Sequence, residues 1–183
     1  MASSAEIRLC GYGGQGIILA GFIIGQAATV YEHRNAIFTQ DYGPEARGGA
    51  CRADVIISDA PIPYPYIDEP GILVAMSQEA YEKYIPRVRR DTLIIIDEDL
   101  VKADEAGAHR LIPMPARRLA MEVGRITVAN VVMLGFLTAA TGMLSVESMK
   151  QSILASVPKS TGKLNMSAFE EGYASARKQG AVK

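Results

Sequence analysis

The chain has 183 residues, of which 49% are hydrophobic and 21% charged, and its formal net charge is −1. Such a composition is that of an ordinary globular protein, and we expect one domain over residues 1–183. The balanced charge argues against nucleic-acid binding, and the apolar stretches are too short for a membrane span, so we expect no membrane association.

Metal and disulfide sites are poorly supported. The two cysteines, Cys10 and Cys51, are not part of a C-x-x-C pair, and the two histidines, His33 and His109, lie far apart. We therefore expect no metal site and no iron–sulfur cluster within this chain. The cysteine usage and the lack of a signal-peptide pattern at the start predict a cytoplasmic protein.

The first predicted elements are a strand, a glycine-rich turn and a helix. A strand at residues 6–10 leads into Gly11, Gly13 and Gly16, and an apolar helix follows to about residue 32. This G-x-G-x-x-G spacing is typical of a phosphate-binding turn, where free backbone N–H groups favour an anion. The same glycines also suit a plain tight turn, and both interpretations stay open.

The later elements alternate between strands and helices. Further strands are predicted at residues 35–40, 51–58, 72–75, 92–96 and 111–113, and further helices at residues 77–85, 115–123, 130–141, 146–157 and 167–178. Continuous apolar strands alternating with helices indicate a sheet covered on both faces. The predicted fold is therefore an α/β domain of three α/β/α layers around a mostly parallel or mixed sheet.

Two polar segments could carry chemistry. The loop after the second strand is rich in glycine, proline and charge, and Arg47 in it could bind a phosphate or a carboxylate; a structural pair with Glu45 or a subunit contact is favoured instead. Asp41, at the start of this loop, is the candidate ribose ligand of a dinucleotide site. The acids at residues 97–99 follow a buried strand and fit a solvated helix-cap region better than an acid–base site.

Three segments together resemble a known family. Residues 11–21, residues 39–59 and residues 130–135 are similar to the gamma subunit of 2-oxoacid:ferredoxin oxidoreductases. The resemblance implies an accessory subunit of a complex that oxidatively decarboxylates a 2-oxoacid with coenzyme A, giving an acyl-CoA, carbon dioxide and reduced ferredoxin. Where pyruvate-type sequences read Arg-Arg-Gly-Ala-Pro, this chain has Ala46, Gly49 and Ala50, which favours the 2-oxoglutarate type; branched-chain and indolepyruvate types stay open.

The resemblance also implies where cofactors and partners belong. Thiamine diphosphate, magnesium and iron–sulfur clusters are expected on alpha and beta subunits and on a ferredoxin-like delta subunit or domain, with ferredoxin as electron acceptor and coenzyme A as a candidate ligand at the complex site. No catalytic residue is expected in this chain, and the isolated chain is expected to self-associate. The residues carried over as ligand, anion-binding or interface candidates are Gly11, Gly13, Gly14, Gln15, Gly16, Tyr42, Gly43, Pro44, Glu45, Arg47 and Gly48.

Two other interpretations remain beside this one. The chain could be a stand-alone nucleotide- or dinucleotide-binding protein that uses the glycine-rich turn. It could also be a binding or scaffold module without chemistry of its own.

Overall fold

The computed structural model describes residues 4–42, 49–103 and 110–182. In this part of the chain six strands form one sheet in the order β2-β3-β1-β4-β5-β6. The strands are β1 (Ser4–Tyr12), β2 (Asn35–Asp41), β3 (Ala50–Ser58), β4 (Ile72–Ala75), β5 (Leu93–Asp97) and β6 (Arg110–Met114). Five of these strands run in one direction, and β3 runs antiparallel to both of its neighbours. The predicted mostly parallel, mixed sheet is confirmed.

The helices lie close to the predicted positions. They are α1 (Ile17–Gln26), α2 (Gln78–Tyr84), α3 (Ala116–Val123), α4 (Ala129–Thr141), α5 (Val146–Ser156) and α6 (Gly162–Lys178). The first helix was expected to reach residue 32, and it continues from α1 as a π-helix over Ala27–Tyr31. The Thr29 hydroxyl donates to the Gly25 carbonyl at 3.0 Å where this change of helix type begins.

Helices cover both faces of the sheet. On one face, strand residues such as Leu9 and Val55 share a core with α1, α3, α4, α5 and α6. On the other face, alternate strand residues such as Cys10 and Leu73 pack against Ala80, Tyr81 and Tyr84 of α2. Because successive strand side chains point to opposite faces, the nearly continuous apolar strands supply both cores.

Helices α4 and α6 approach each other very closely. A Cβ built on Gly135 would lie less than 3.0 Å from the Phe169 carbonyl oxygen, and one on Gly172 would lie less than 3.0 Å from the Val132 carbonyl oxygen. Both obstacles are backbone atoms, so a side chain at either position would force the helices apart. Helix α6 begins at Gly162, earlier than the predicted residue 167, and Gly162 lies near Leu154 of α5.

The strand order places a topological switch point between β1 and β4. After β1 the chain crosses through α1 to β2, on one side of β1, whereas after β4 it proceeds through α2 to β5, on the other side. In open α/β sheets, ligands bind at the carboxyl ends of the strands that flank such a point. The glycine-rich turn lies at this place. Within the described residues, no helix combines the length and apolar content needed to cross a bilayer.

Candidate functional site

The turn between β1 and α1 needs glycine at positions where the backbone is left-handed. Gly14 has φ +105° and Gly16, which precedes the first residue of α1, has φ +75°. L-residues with a side chain rarely adopt such φ values. The requirement for glycine at these two positions is thus conformational, which supports the plain-turn interpretation without removing the anion-binding one.

The Gln15 side chain occupies the inner side of the turn. Its Oε1 accepts from the Tyr12 backbone N–H at 2.9 Å, and its Nε2 donates to the Met76 carbonyl oxygen at 2.6 Å. A Cβ on Gly11 would lie less than 3.0 Å from Gln15 Oε1, so glycine at this position makes room for the glutamine. Gln15 therefore ties the end of β1 to the end of β4 across the switch point.

Asn130 closes the turn from the side of α4. Its Nδ2 donates to the Gly16 carbonyl oxygen at 3.1 Å, and the side chain fills the space that a Cβ on Gly16 would need. The start of α1 has no side-chain cap, so its first backbone N–H groups have no side-chain acceptor. An uncapped helix start beside a glycine turn is compatible with an anion, and the anion site stays a prediction.

A small cavity of about 120 Å³ lies under the turn, at the carboxyl ends of β1, β4 and β5. Its wall includes Gly14, Gln15, Asp97, Arg117 and Thr127. Backbone of the turn, a buried carboxyl group and a guanidinium group thus meet at the switch point. This size suits a few waters or one small chemical group.

Asp97 was expected in a solvated loop, and that expectation is wrong: the residue is 0% exposed. Burial raises its pKa from the ordinary 3.8 to about 6, while the backbone N–H groups of Asp99 and Arg117 and the Arg117 charge act in the opposite direction. Among the described residues no donor reaches its Oδ2 with hydrogen-bond geometry. Asp97 is buried because β5 extends to it beneath the turn.

The neighbouring acids differ from Asp97. Glu98 forms a salt bridge with Arg118 of α3, and Asp99 Oδ1 lies 3.0 Å from the other nitrogen of the same guanidinium. These two acids therefore attach the end of β5 to α3, as expected for a polar cap region. Nothing in their geometry resembles an acid–base pair, which would keep one carboxyl group free to exchange a proton with a substrate.

A buried ion pair on the α2 face was missed by the sequence reasoning. Arg8 of β1 is 1% exposed and donates to both carboxylate oxygens of Asp54 on β3, from Nε at 2.8 Å and from Nη2 at 2.7 Å. The two residues are cross-strand partners. In the sequence, the only sign of this pair is that two predicted apolar strands carry opposite charges near their centres. Breaking such a buried pair costs about 3–5 kcal/mol.

The second part of the predicted site is described only at its start. Tyr42 is 57% exposed, whereas Gly43, Pro44, Glu45, Arg47 and Gly48 lie outside the described residues. Gly13, which precedes the left-handed positions, donates its N–H to the carbonyl oxygen of Gly49 at 3.3 Å. Gly49, which follows the predicted site segment, therefore lies against the glycine turn.

The dinucleotide interpretation meets a topological obstacle at Asp41. In that kind of site the acid ends a strand beside β1, but here β3 lies between β1 and β2. Two strand spacings are about 9.6 Å, so Asp41 is displaced from the turn. Its carboxylate instead lies 3.8 Å from Arg52 of β3.

The remaining candidate groups are not arranged for catalysis or metal binding. Cys10 and Cys51 are free and buried, and burial raises the pKa of both thiols above the ordinary value, which disfavours the reactive thiolate. His33 is exposed after the π-helix, and His109 lies outside the described residues. In the described part of the chain no group of three or more His, Cys, Asp or Glu side chains could hold a metal ion.

Comparisons with known proteins agree with the fold and with each other. A family model described as pyruvate ferredoxin/flavodoxin oxidoreductase matches residues 6–175. The chain is 49% identical to the 2-oxoglutarate synthase subunit KorC of Methanocaldococcus jannaschii over 94% of each chain, and 47% identical to KorC of Methanothermobacter thermautotrophicus over 91% and 92%. A solved structure, the keto/oxoacid ferredoxin oxidoreductase gamma subunit of Geobacter sulfurreducens, is 38% identical, with a TM-score of 0.88 and 99% of each chain covered.

Proposed function

Because the chain belongs to the pyruvate ferredoxin/flavodoxin oxidoreductase family, and is a gamma-type subunit of a 2-oxoacid:ferredoxin oxidoreductase, we propose that its complex acts on 2-oxoglutarate. The observation that carries this proposal is the 49% identity to a 2-oxoglutarate synthase subunit over nearly the whole length of both chains. Ala46, Gly49 and Ala50, which depart from the pyruvate-type pattern, point the same way.

In the proposed reaction 2-oxoglutarate is oxidatively decarboxylated with coenzyme A to an acyl-CoA and carbon dioxide, and ferredoxin is reduced. Thiamine diphosphate, magnesium and the iron–sulfur clusters are held by alpha and beta chains and by a ferredoxin-like delta chain or domain, as the family resemblance implies. We propose a cytoplasmic location for this assembly.

The contribution of this chain is to shape the coenzyme A side of the complex. Two observations support this role. The start of α1 offers backbone N–H groups without a side-chain cap beside Gly14 and Gly16, and Gly49 at the end of the loop of residues 42–48 lies against Gly13. A ligand phosphate at the turn would therefore lie near Gly49, and we propose that the interface with the catalytic chains forms there.

No observation favours a stand-alone dinucleotide-binding protein over this assignment. The separation of Asp41 from the turn by β3 counts against it.

The test is to express the alpha, beta and delta chains with and without this chain. We expect this chain to copurify, and we expect 2-oxoglutarate, in the presence of coenzyme A, to support faster reduction of ferredoxin than pyruvate, 2-oxoisovalerate or indolepyruvate. A complex that forms but prefers another oxoacid would overturn the substrate proposal. Full activity of the other chains alone would overturn the subunit role.

A further inference from the structure

The proline-rich segment of residues 59–71, between β3 and β4, exposes a pair of tyrosines. Tyr64 and Tyr66 are 56% and 58% exposed, and their rings meet edge to face with centroids 5.5 Å apart. Large aromatic side chains that stand together in solvent are uncommon on a protein surface that has no partner.

Hydrogen bonds from buried side chains anchor this segment to the sheet. Ile67, next to Tyr66, is buried, and its carbonyl oxygen accepts from Nη2 of the buried Arg8 at 2.7 Å. Farther on, the Pro70 carbonyl oxygen accepts from the Thr92 hydroxyl at 2.7 Å. Prolines on both sides of Tyr64 fix φ. A segment anchored in this way loses little conformational entropy when it binds, so its exposed rings are preorganised for contact.

A groove of about 480 Å³ lies between the tyrosine pair and the end of α2. The Arg52 guanidinium lines it from β3 and lies 5.9 Å from the Tyr84 ring; its contacts to acids among the described residues are long, 3.8 Å to Asp41 and 3.9 Å to Asp54. Arg87 also lines the groove and is exposed.

The charges beside the groove are mixed but leave cationic groups available. Asp68 and Glu69 line the groove together with Arg52 and Arg87. Lys83, in the last turn of α2, is exposed. Guanidinium groups bind carboxylates through two parallel hydrogen bonds. The guanidinium groups therefore complement an acidic side chain, and the tyrosine rings complement apolar or proline groups.

We propose that the surface formed by Arg52, Tyr64, Tyr66 and Arg87, here called the tyrosine surface, docks an extended acidic segment of a catalytic partner subunit. This inference rests on the proposed function, because it names where the partner binds. Arg52 is the cross-strand partner of Asp41, which precedes Tyr42, so the tyrosine surface is continuous with the start of the loop proposed as an interface. Tyrosine and arginine are the residues in which binding energy concentrates at interfaces.

The experiment measures the affinity of the full chain for the assembled alpha and beta chains. The double variant Tyr64→Ser/Tyr66→Ser is expected to bind at least about 30-fold more weakly, as for a central interface residue. Arg87→Glu is expected to weaken binding at low salt and to flatten its dependence on salt. Met121→Ser, equally exposed at 61% but on α3, is the matched control and should bind as the wild type does.

The outcomes separate the inference from the function. Wild-type chain that fails to bind the catalytic chains would overturn both. If the wild-type chain binds, and the double variant and Arg87→Glu bind with the same affinity as the wild type, the docking surface alone is overturned. Loss of coenzyme A affinity with intact partner binding in these variants would also overturn it, because the groove would then be a small-molecule site. Circular dichroism and thermal midpoints check that each variant is folded.

Discussion

Burial of the Asp97 side chain disfavours the ionised form of its carboxyl group. Its pKa in the folded protein is about 6, against 3.8 for an ordinary aspartate, because the side chain is buried. Between about pH 4 and pH 6 the folded state therefore binds more protons at this residue than the unfolded state does. The contribution of Asp97 to the free energy of unfolding is largest below this window and is lost as the pH rises through it.

Asp97→Asn should consequently stabilise the protein at neutral pH. The amide resembles the protonated carboxyl group, so the variant lacks the ionisation cost, which for a shift of this size is at most about 3 kcal/mol. Urea unfolding at pH 4.5 and at pH 7.5 checks this: the stability of the variant relative to the wild type should increase with pH. A variant that loses stability relative to the wild type as the pH rises would show that Asp97 is needed as an anion.

Alanine substitutions at the two left-handed glycines of the turn are expected to differ in their cost to stability. A Cβ on Gly14 meets nothing within 4 Å, so Gly14→Ala should cost only the left-handed strain, about 1–2 kcal/mol. Gly16→Ala adds a collision with Asn130 and should cost more. Denaturant unfolding of both variants measures which loses more stability. In an Asn130→Ala background, the loss of stability caused by Gly16→Ala should shrink, and that caused by Gly14→Ala should not. Equal costs at the two positions would contradict the contact with Asn130.

At the scale of elements, the α4–α6 crossing depends on two glycines. Gly135→Ala or Gly172→Ala would place a methyl group against a backbone carbonyl, and we expect a loss above about 4 kcal/mol or failure to fold. Gly162→Ala is the matched control, because its Cβ would meet only Leu154 Cδ2 at 3.3 Å and the substitution favours helix. Thermal unfolding and soluble yield report the result. A small loss of stability in Gly172→Ala would mean that the two helices can shift apart at little cost in free energy.

Element boundaries followed from the sequence where the signal was local. The strand of residues 72–75 was predicted as observed, and the helix predicted from residue 77 begins there, with Ser77 as its cap accepting from Ala80 N–H. The π-helix after Gln26 was not predictable, because no pattern distinguishes it from a longer α-helix. The first turn of α6 was missed because Lys163 and Asn165 obscure the apolar period.

Features that depend on distant pairing were beyond the sequence. Arg8 and Asp54 are 46 positions apart, and each in isolation is only a charge within a strand. The burial of Asp97 required knowing that the glycine turn lies above the end of β5. At the site, the glycine turn and its anchor Asn130 fell within the segments that resemble the family, but the role of Gln15 as a link to Met76 needed the strand order.

At the scale of the whole molecule, β2 is an edge strand of the sheet, and among the described residues its border with α1 and the following π-helix is apolar and exposed. Phe22 and Val30 are 46% and 54% exposed, and Phe22 meets Phe38 of β2 edge to face at 6.4 Å. The strand itself, Asn35–Asp41, has no lysine or proline, the residues that commonly block pairing at a sheet edge. This edge is therefore the surface through which the isolated chain is expected to self-associate.

Phe22→Lys tests that expectation, because a charge at the centre of the edge opposes burial against a second copy. Light scattering at increasing concentration should show association of the wild-type chain, a shift towards monomer for Phe22→Lys, and no shift for Met121→Lys on α3, which is exposed but lies away from the edge. Adding the alpha and beta chains shows whether the partner also covers this edge, because conversion of self-associated chain into the mixed complex requires that the two assemblies compete. A wild-type chain that stays monomeric at all concentrations would contradict the role of this edge, and one that also ignores both partners would contradict the subunit assignment itself.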